Sequence, residues 1–465
     1  MRRFSTALLC ALFPGLPLRA DETTAYWVWH RANPLRAEET AELQKQQVNT
    51  LFWHVGEMEL RGGEWRWKAR PLDVSGCAGS LRVVPVVRLQ TESKRPFEPR
   101  AWGKLCELLS KVSHAEHGLQ IDFDCPDRLL AAYAAALAEL RRSVPRLSIT
   151  ALAHWSRLPE FDTVQQSVIE MTPMFYDLEA DPTGISADAP PPPILDPPRV
   201  ERALADWSRC RIPWRAGLPT FARLTVFDST GSSRGQIPNW SWDDFCFHKA
   251  LHALGPTHLG VTMFRVEGET RVARTPVKDG EFVASRFVDH AALARVVAVA
   301  RNAGAVGITF FRLPDGTDPA GPSLETIGGH TSPVVQQLML RWCGPEQLEL
   351  TNDSAHDLPP RLAGERNDRD RGYALEVDAS APIFREAVPG AFWRVTVHAE
   401  PDAPHPRLAP VQLGTRLTFW FSHLHAREKL RTGLVQLAPG VNASRLRYRI
   451  LNCKGASEWS SLNPP

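Results

Sequence analysis

Residues 118–126, Gly-Leu-Gln-Ile-Asp-Phe-Asp-Cys-Pro, carry two carboxylic acids at the end of a short apolar segment. Side chains alternate between the faces of a β-strand, so Gln120, Asp122 and Asp124 share one face and the apolar residues between them share the other. Two buried neighbouring carboxyl groups cannot both ionise cheaply, and the pKa of one of them rises. A carboxyl group with a raised pKa can act as a general acid. The segment therefore predicts acid–base chemistry, against the alternative of a purely structural aspartate pair.

A second polar cluster closes a later apolar run. Residues 174–177 read Met-Phe-Tyr-Asp and end a predicted strand at 168–176. The ends of parallel strands meet at one edge of a sheet, so this phenol and carboxylate are expected near Asp124. We predict Asp124, Asp122, Tyr176 and Asp177 as catalytic residues. Asp124 would be the acid, Asp122 would tune it, and the other two would position the substrate.

The elements that position these residues are short apolar runs that alternate with helical patterns between residues 24 and 343. Strands are predicted at 26–29, 49–55, 81–89, the Asp-x-Asp segment, 147–154, 168–176, 216–227 and 305–311, and helices at 37–47, 101–113, 129–142 and 290–302. Such alternation is typical of parallel strands joined by helical crossovers. Eight units predict an α/β fold of the (β/α)8 barrel type, in which catalytic groups lie at the C-terminal strand ends.

Further side chains at these predicted strand ends are candidate substrate-binding residues. They are Trp29, Glu57, Arg88, Gln120, His154, Trp155, Met174 and Arg312. Aromatic rings such as Trp29 and Trp155 can stack on a sugar ring while their polar edges bond to it. Two alternatives remain open. The arginines would instead pair with the aspartates of the fourth strand, and His154 would be a structural histidine.

Three regions lie outside the regular alternation. The proline-rich segment 189–200 predicts an extended loop on the same face as the site, and 259–283 predicts an inserted hairpin between strands seven and eight. After residue 344 only strand-like runs follow, which predicts a β-sandwich of about 120 residues. We therefore expect a barrel domain over 21–343 and a β-rich domain over 344–465.

The N-terminus is typical of a secretory signal peptide over residues 1–20. Arg2 and Arg3 precede an apolar run at 6–18, and Ala20 is a small residue at the expected cleavage site. The run is too short to cross a membrane, and no later segment is long enough. We expect an exported protein, periplasmic or extracellular. The formal charge of +2 falls to −1 without the three arginines of residues 1–20, which argues against a nucleic-acid partner.

The sequence also argues against a cofactor or a metal. Seven cysteines follow the predicted signal, scattered without a Cys-x-x-Cys pair, which argues against a zinc site. His423 and His425 could supply half of a metal site, but no third ligand is evident, so a solvated strand is the preferred interpretation. Glycine-rich phosphate loops and dinucleotide fingerprints are absent.

The two polar clusters resemble the motifs of the family 18 glycosidases, the chitinases and their relatives. That family carries Asp-x-x-Asp-x-Asp-x-Glu on strand four and Met-x-Tyr-Asp on strand six. Asp122 and Asp124 match the last two aspartates of the first motif, and Met174, Tyr176 and Asp177 match the second. The resemblance implies that an aspartate and the tyrosine hold the substrate's acetamido group, which acts as the nucleophile.

The chain departs from that family at the proton donor. Pro126 stands where the glutamate should be, and Leu119 stands in place of the first aspartate. Phe310-Phe311-Arg312 replaces the usual tryptophan of the last strand. If the protein is a glycosidase, its acid must therefore come from elsewhere, with Asp124 as the first candidate and Glu57 as another.

A closer resemblance covers most of residues 24–343. Segments 120–126, 147–155 and 309–314 look like a bacterial family known as domain of unknown function 3142. That resemblance implies a barrel and an exported protein, with no assigned reaction. The sequence as a whole predicts a carbohydrate-active hydrolase acting on a polysaccharide or cell-wall glycan. The alternatives are a glycan-binding barrel that has lost its catalytic glutamate, and a structural envelope protein whose β-domain docks a partner.

Overall fold

The structure is a computed structural model that describes residues 23–68, 71–92, 95–315, 320–363, 371–398, 413–441, 446–452 and 455–462. The predicted signal peptide lies outside the described residues. None of the helices in these ranges is long and apolar enough to cross a membrane.

Eight parallel strands close into a barrel. They are β1 Thr23–Val28, β2 Thr50–Arg61, β3 Arg82–Gln90, β4 Leu119–Asp122, β5 Leu147–Leu152, β6 Glu170–Met174, β7 Arg215–Pro219 and β8 Gly307–Phe311. Each strand pairs with the next in space, and β1 pairs with both β2 and β8, which closes the ring. The strand Glu64–Trp67 adds a hairpin to the end of β2. The predicted α/β fold with a (β/α)8 barrel is confirmed.

Helices follow most of the barrel strands and cover the outside of the barrel, except that the helix Trp242–Cys246 belongs to the segment inserted between β7 and β8. They are α1 Ala37–Lys45, α2 Pro99–Val112, α3 Leu130–Leu140, α4 Phe161–Gln166, α5 Pro197–Trp207, α6 Trp242–Cys246, α7 His290–Asn302 and α8 Leu324–Gly328, with 3-10 turns at Asp127–Leu129 and Ala153–Arg157. Leu119, Ile121 and Phe123 pack into the main apolar cluster with residues of the covering helices. The alternation predicted for β4 therefore holds, and its polar residues face the barrel interior.

The segment between β7 and β8 is larger than the predicted hairpin. The run at 216–227 is two strands, because Pro219 ends β7 without an amide hydrogen to extend the ladder. The chain then builds a five-stranded antiparallel sheet with its own apolar cluster. Its strands are, in spatial order, Ser233–Gln236, Arg223–Phe227, Phe282–Arg286, Val261–Val266 and Leu251–Ala253. A separate hairpin pairs Thr270–Val272 with Thr275–Val277.

The proline-rich segment is a loop only in its first part. Asp196 caps α5 by accepting a hydrogen bond from the Arg199 N–H, and Pro197 stands in the first turn, where its fixed φ suits a helix. Residues 197–200 therefore belong to α5 rather than to the predicted loop.

Strands and short turns follow α8. One sheet contains Leu338–Gly344, Gln347–Asn352 and Lys429–Arg431. Another contains Arg394–His398, Arg416–Phe421, Tyr373–Asp378, Arg447–Asn452, Gly455–Ala456 and Ser460–Ser461, and a third pairs Phe384–Ala387 with Val435–Leu437. These strands share a separate apolar cluster. The predicted boundary at 343/344 falls inside the first of these strands, and the division into two domains stays a prediction.

Candidate functional site

A cavity of about 920 Å³ opens at the C-terminal ends of the barrel strands. It collects side chains from the barrel strands, the turn after β5, α5 and the inserted sheet. Its main polar and aromatic lining residues are Trp27, Trp29, Arg88, Asp122, Asp124, Thr150, His154, Arg157, Met174, Tyr176, Asp177, Arg199, Arg202, Phe221, Arg223, Gln236 and Phe311. The four residues predicted as catalytic therefore line one cavity.

Asp122 and Asp124 form an unequal pair. Asp122 ends β4 with its side chain only 14% exposed, whereas Asp124 lies beyond the strand and is exposed. The Thr150 hydroxyl donates to Asp122 Oδ1 at 2.8 Å, and the Arg88 Nε lies 3.7 Å from Asp122 Oδ2. Burial and, after it, the charge of Asp124 raise the pKa of Asp122 to about 6, against the lowering effects of Thr150 and Arg88. The pair thus combines a buried carboxyl group of raised pKa with a solvent-facing carboxyl group.

Tyr176 stands beside this pair against aromatic neighbours. Its ring stacks on Phe311 at 5.9 Å between centroids and meets Phe221 edge-on at the same distance. Burial, followed by the charges of Asp122 and Asp124, holds the pKa of the phenol well above its usual value. The phenol therefore stays protonated and can donate a hydrogen bond to a ligand.

Asp177 is held in a fixed position by the inserted sheet. Arg223 binds it with two hydrogen bonds, Nη1 to Oδ2 at 3.0 Å and Nη2 to Oδ1 at 2.6 Å. The Asp177 backbone has a φ of +48°, a value that aspartate tolerates better than most residues. The sequence predicts one continuous strand over 216–227 and so gives no sign that Arg223 begins a separate strand of the inserted sheet.

The cavity floor is a hydrogen-bonded layer inside the barrel. The Trp27 Nε1–H donates to Gln120 Oε1 at 2.7 Å, and Gln120 Nε2 donates to Thr172 Oγ1 at 3.3 Å. A Cβ at Gly217 would lie 2.9 Å from the Trp27 ring, so only glycine leaves room for that ring. Gln120 is completely buried beneath this ring. Gln120 therefore does not line the cavity, because its amide is used within the floor.

Three other predicted binding residues do not line the cavity. Trp155 has no exposed surface and packs edge-on against Tyr133, so its ring does not face the cavity. The Glu57 carboxylate lies 3.0 Å from Lys68 Nζ on the adjoining hairpin. Burial would raise the pKa of Glu57, but the hydrogen bond and charge of Lys68 outweigh it and the pKa is lowered. Arg312 follows β8, and its backbone oxygen accepts a hydrogen bond from Thr220.

Trp29 and His154 do reach the cavity, in different ways. Trp29 is 9% exposed, with its ring stacked on His54 at 4.2 Å and held edge-on by Phe311. His154 is exposed at the rim, and its Nε2 lies 2.8 Å from Asp127 Oδ1. Trp29 therefore offers a rigid edge, and His154 a polar group on the rim.

Basic residues dominate the rim of the cavity. Five arginines line it against three aspartates. Arg157 pairs with Asp206, and Arg199 pairs with Asp196 and Glu179, so both are held in place by neighbouring acids. Arg88 and Arg223 pair in the same way with Asp122 and Asp177, so the rim carries paired charges of both signs. The proline-rich pattern predicts a loop over 189–200, so the sequence gives no reason to place Arg199 on a helix beside the cavity.

A comparison with protein families agrees with the predicted resemblance to domain of unknown function 3142. Residues 80–238 match the family described as Domain of unknown function (DUF3142). No curated protein matches the sequence.

Solved structures that resemble the chain include a chitinase from Chromobacterium violaceum ATCC 12472, with 12% identity and a TM-score of 0.46 over 67% of this chain and 98% of that one. A glycoside hydrolase family 18 N-acetylglucosaminidase from Paenibacillus barengoltzii has 15% identity and a TM-score of 0.45 over 67% and 100%. A class V chitinase from Pseudomonas fluorescens Pf-5 has 15% identity and a TM-score of 0.42 over 67% and 98%. Because these identities and TM-scores are low, the similar structures assign no reaction to this chain.

Proposed function

We propose that this protein is a carbohydrate-active hydrolase that cleaves glycosidic bonds in an exported setting, acting on a polysaccharide or cell-wall glycan. The observation that carries the proposal is the pair of Asp122 and Asp124 in one cavity. The pKa of Asp122 is raised to about 6 while Asp124 faces the solvent. Neighbouring carboxyl groups with different environments are the usual means by which glycosidases divide acid and base roles.

The pair would work as one unit that shares a proton. Asp122 would hold the proton below about pH 6, because burial and the charge of Asp124 raise its pKa. Asp124, at the rim, would pass this proton to the glycosidic oxygen as its bond to the anomeric carbon breaks. Water would add to that carbon and return a proton to the pair, so that Asp124 is the acid that touches the substrate and Asp122 the group that tunes it.

The surrounding residues would hold the sugar. The Tyr176 phenol, kept protonated, would donate a hydrogen bond to a carbonyl or acetamido oxygen near the reacting carbon. Asp177 would accept from sugar hydroxyls with its position fixed by Arg223. Phe221 and Phe311 would provide apolar faces for sugar rings.

Product release tests the proposal. The purified protein is incubated with a panel of neutral and anionic glycans, and new reducing ends are counted. We expect release by the wild type and a loss of about 10²–10⁴-fold in Asp124→Asn, the range for removal of a general acid. Asp162→Asn, an amide substitution of a half-exposed carboxylate on α4, is the matched control and should keep full activity. Full activity in Asp124→Asn would refute the assigned role.

The second candidate is a barrel that binds glycans without cleaving them. Pro126 favours it, because that residue starts the turn Asp127–Leu129 and contributes no acid to the cavity. This candidate predicts saturable binding of a glycan with no new reducing ends, and Asp124→Asn would change affinity alone.

A further inference from the structure

A second cavity, of about 630 Å³, lies between α7, α6 and the C-terminal strands, away from the barrel mouth. Four histidines line it together with Asp357. They are His290, His356, His423 and His425. Nothing in the proposed hydrolase chemistry uses this cluster, and the sequence alone left His423 and His425 without a third ligand.

The chain fold brings a third ligand to these two histidines. Leu424 is completely buried in the C-terminal apolar cluster, so the histidines on either side of it point together away from that cluster. A tight turn follows, in which the Glu428 N–H bonds to the His425 carbonyl and Glu428 Oε2 accepts from the His425 N–H at 2.7 Å. The turn returns the Glu428 carboxylate to the two rings. One donor atom from each of these three residues lies within 4.8 Å of the others.

A polar side chain lies beside Nδ1 of each imidazole. The Ser422 hydroxyl donates to Asp243, so at the 2.8 Å contact with His423 the ring Nδ1–H must donate to Ser422. On His425, Nδ1 lies 3.4 Å from Asp357 Oδ1. Metal-binding histidines ordinarily have such a polar partner on the ring nitrogen that does not bind the metal.

The Asp357 carboxylate is itself held in place. The Ala426 N–H donates to its Oδ1 at 2.7 Å, and the Ser323 N–H donates to its Oδ2 at 2.8 Å. The partner of His425 is therefore fixed by backbone groups from two separate segments. A purely solvated histidine pair would not need this arrangement.

We propose that His423, His425 and Glu428 bind one divalent transition-metal cation of the Zn²⁺ class. Two imidazoles and one carboxylate form a donor set that zinc accepts, and three protein ligands leave a position for water or a ligand. Two donors bound to one zinc ion can lie at most about 4.2 Å apart, so the site closes around the ion by small side-chain rotations. Because both histidines line the cavity, the cation is reached from it.

Titration of the metal-free, untagged protein with ZnCl₂ by calorimetry tests the proposal. We expect one Zn²⁺ per chain, and about tenfold or weaker binding in His425→Gln and in Glu428→Gln. The matched control is His114→Gln, because His114 and His117 form another close histidine pair, with ring centroids 4.2 Å apart. Binding that persists unchanged in both ligand variants, or that disappears in the control alone, would overturn the proposal, as would the absence of stoichiometric binding.

Thermal unfolding provides a second readout that does not depend on activity. A cation that binds only the folded chain raises its Tm, so Zn²⁺ should raise the Tm of the wild type and not that of Glu428→Gln. The amide oxygen introduced by that substitution would still accept the hydrogen bond that closes the turn, and circular dichroism checks that the variant folds. Asp357→Asn should fold and weaken binding by about 10–100-fold, as expected for the partner of a metal-binding histidine. An equal rise of Tm in the wild type and in Glu428→Gln would contradict the site.

Discussion

Two buried carboxyl groups, Glu39 in α1 and Asp122 at the end of β4, have opposite pKa shifts. Glu39 in α1 accepts hydrogen bonds from the Arg36 N–H at 2.7 Å and from both terminal nitrogens of Arg31 at 2.8 and 3.0 Å. Burial would raise its pKa, but these partners lower it to about 2. Asp122 is similarly buried, yet its nearest cation, Arg88, is 3.7 Å away and its pKa is raised to about 6.

The comparison shows that partners, rather than burial, decide whether the pKa of a buried carboxyl group is lowered or raised. Glu39 is fully paired and has no proton to give. Asp122 keeps one hydroxyl partner and a distant arginine, and it lies in a cavity next to a second acid. Strongly perturbed, incompletely paired carboxyls in clefts are typical of functional sites.

The two groups also predict opposite dependences of stability on pH. The folded pKa of Glu39 is below its unfolded value of 4.5, so its stabilisation is present above pH 4.5 and is lost as the pH falls towards 2. The folded pKa of Asp122 is above its unfolded value of 3.8, so its contribution is present below pH 3.8 and is lost as the pH rises through 6. At neutral pH, Glu39 stabilises the fold and Asp122 weakens it.

The largest expected effect comes from removing the proton that Asp122 holds. We expect Asp122→Asn to reduce product release by about 10²–10⁴-fold, because the pair loses its exchangeable proton. The same variant should be more stable than the wild type at pH 8 by about 1–3 kcal/mol, since it no longer buries a charge. Urea unfolding at pH 8 and pH 4 measures this, with the gain absent at pH 4. A loss of stability at pH 8 would show that Asp122 is a structural residue like Glu39.

A smaller effect of opposite sign is expected at the structural carboxylate. Glu39→Gln should lose about 1–3 kcal/mol of unfolding free energy at pH 7, because Arg31 loses its charged partner. The loss should shrink towards pH 2, where the wild-type carboxylate is protonated as well. Product release should be unchanged, since Glu39 does not line the cavity. Urea unfolding across pH 2–7 checks this prediction, and a loss independent of pH would mean that geometry rather than charge is responsible.

Local patterns predicted the barrel and its acidic pair, because strand alternation and helix periodicity are properties of neighbouring residues. The inward face of β4 and the range of α7 followed directly from such patterns. Contacts between distant segments could not be predicted in this way. Trp155 has the right position in sequence, but Tyr133 of α3 covers it. Arg223 reaches Asp177 only because a sheet is inserted after β7, and Glu428 joins the two histidines through a turn that no short motif indicates.

The smallest expected effect is a change in the pKa of Asp122 itself. Burial is the main reason for its raised pKa, and the charge of Asp124 is the next. In Asp124→Asn the pKa should therefore fall below about 6 but stay above 3.8, as measured by carbon NMR of labelled aspartate carboxyls. Asp162→Asn should leave the pKa unchanged. A fall all the way to 3.8 would show that Asp124 rather than burial sets the pKa, and no change would mean that the two carboxyls do not act as a pair.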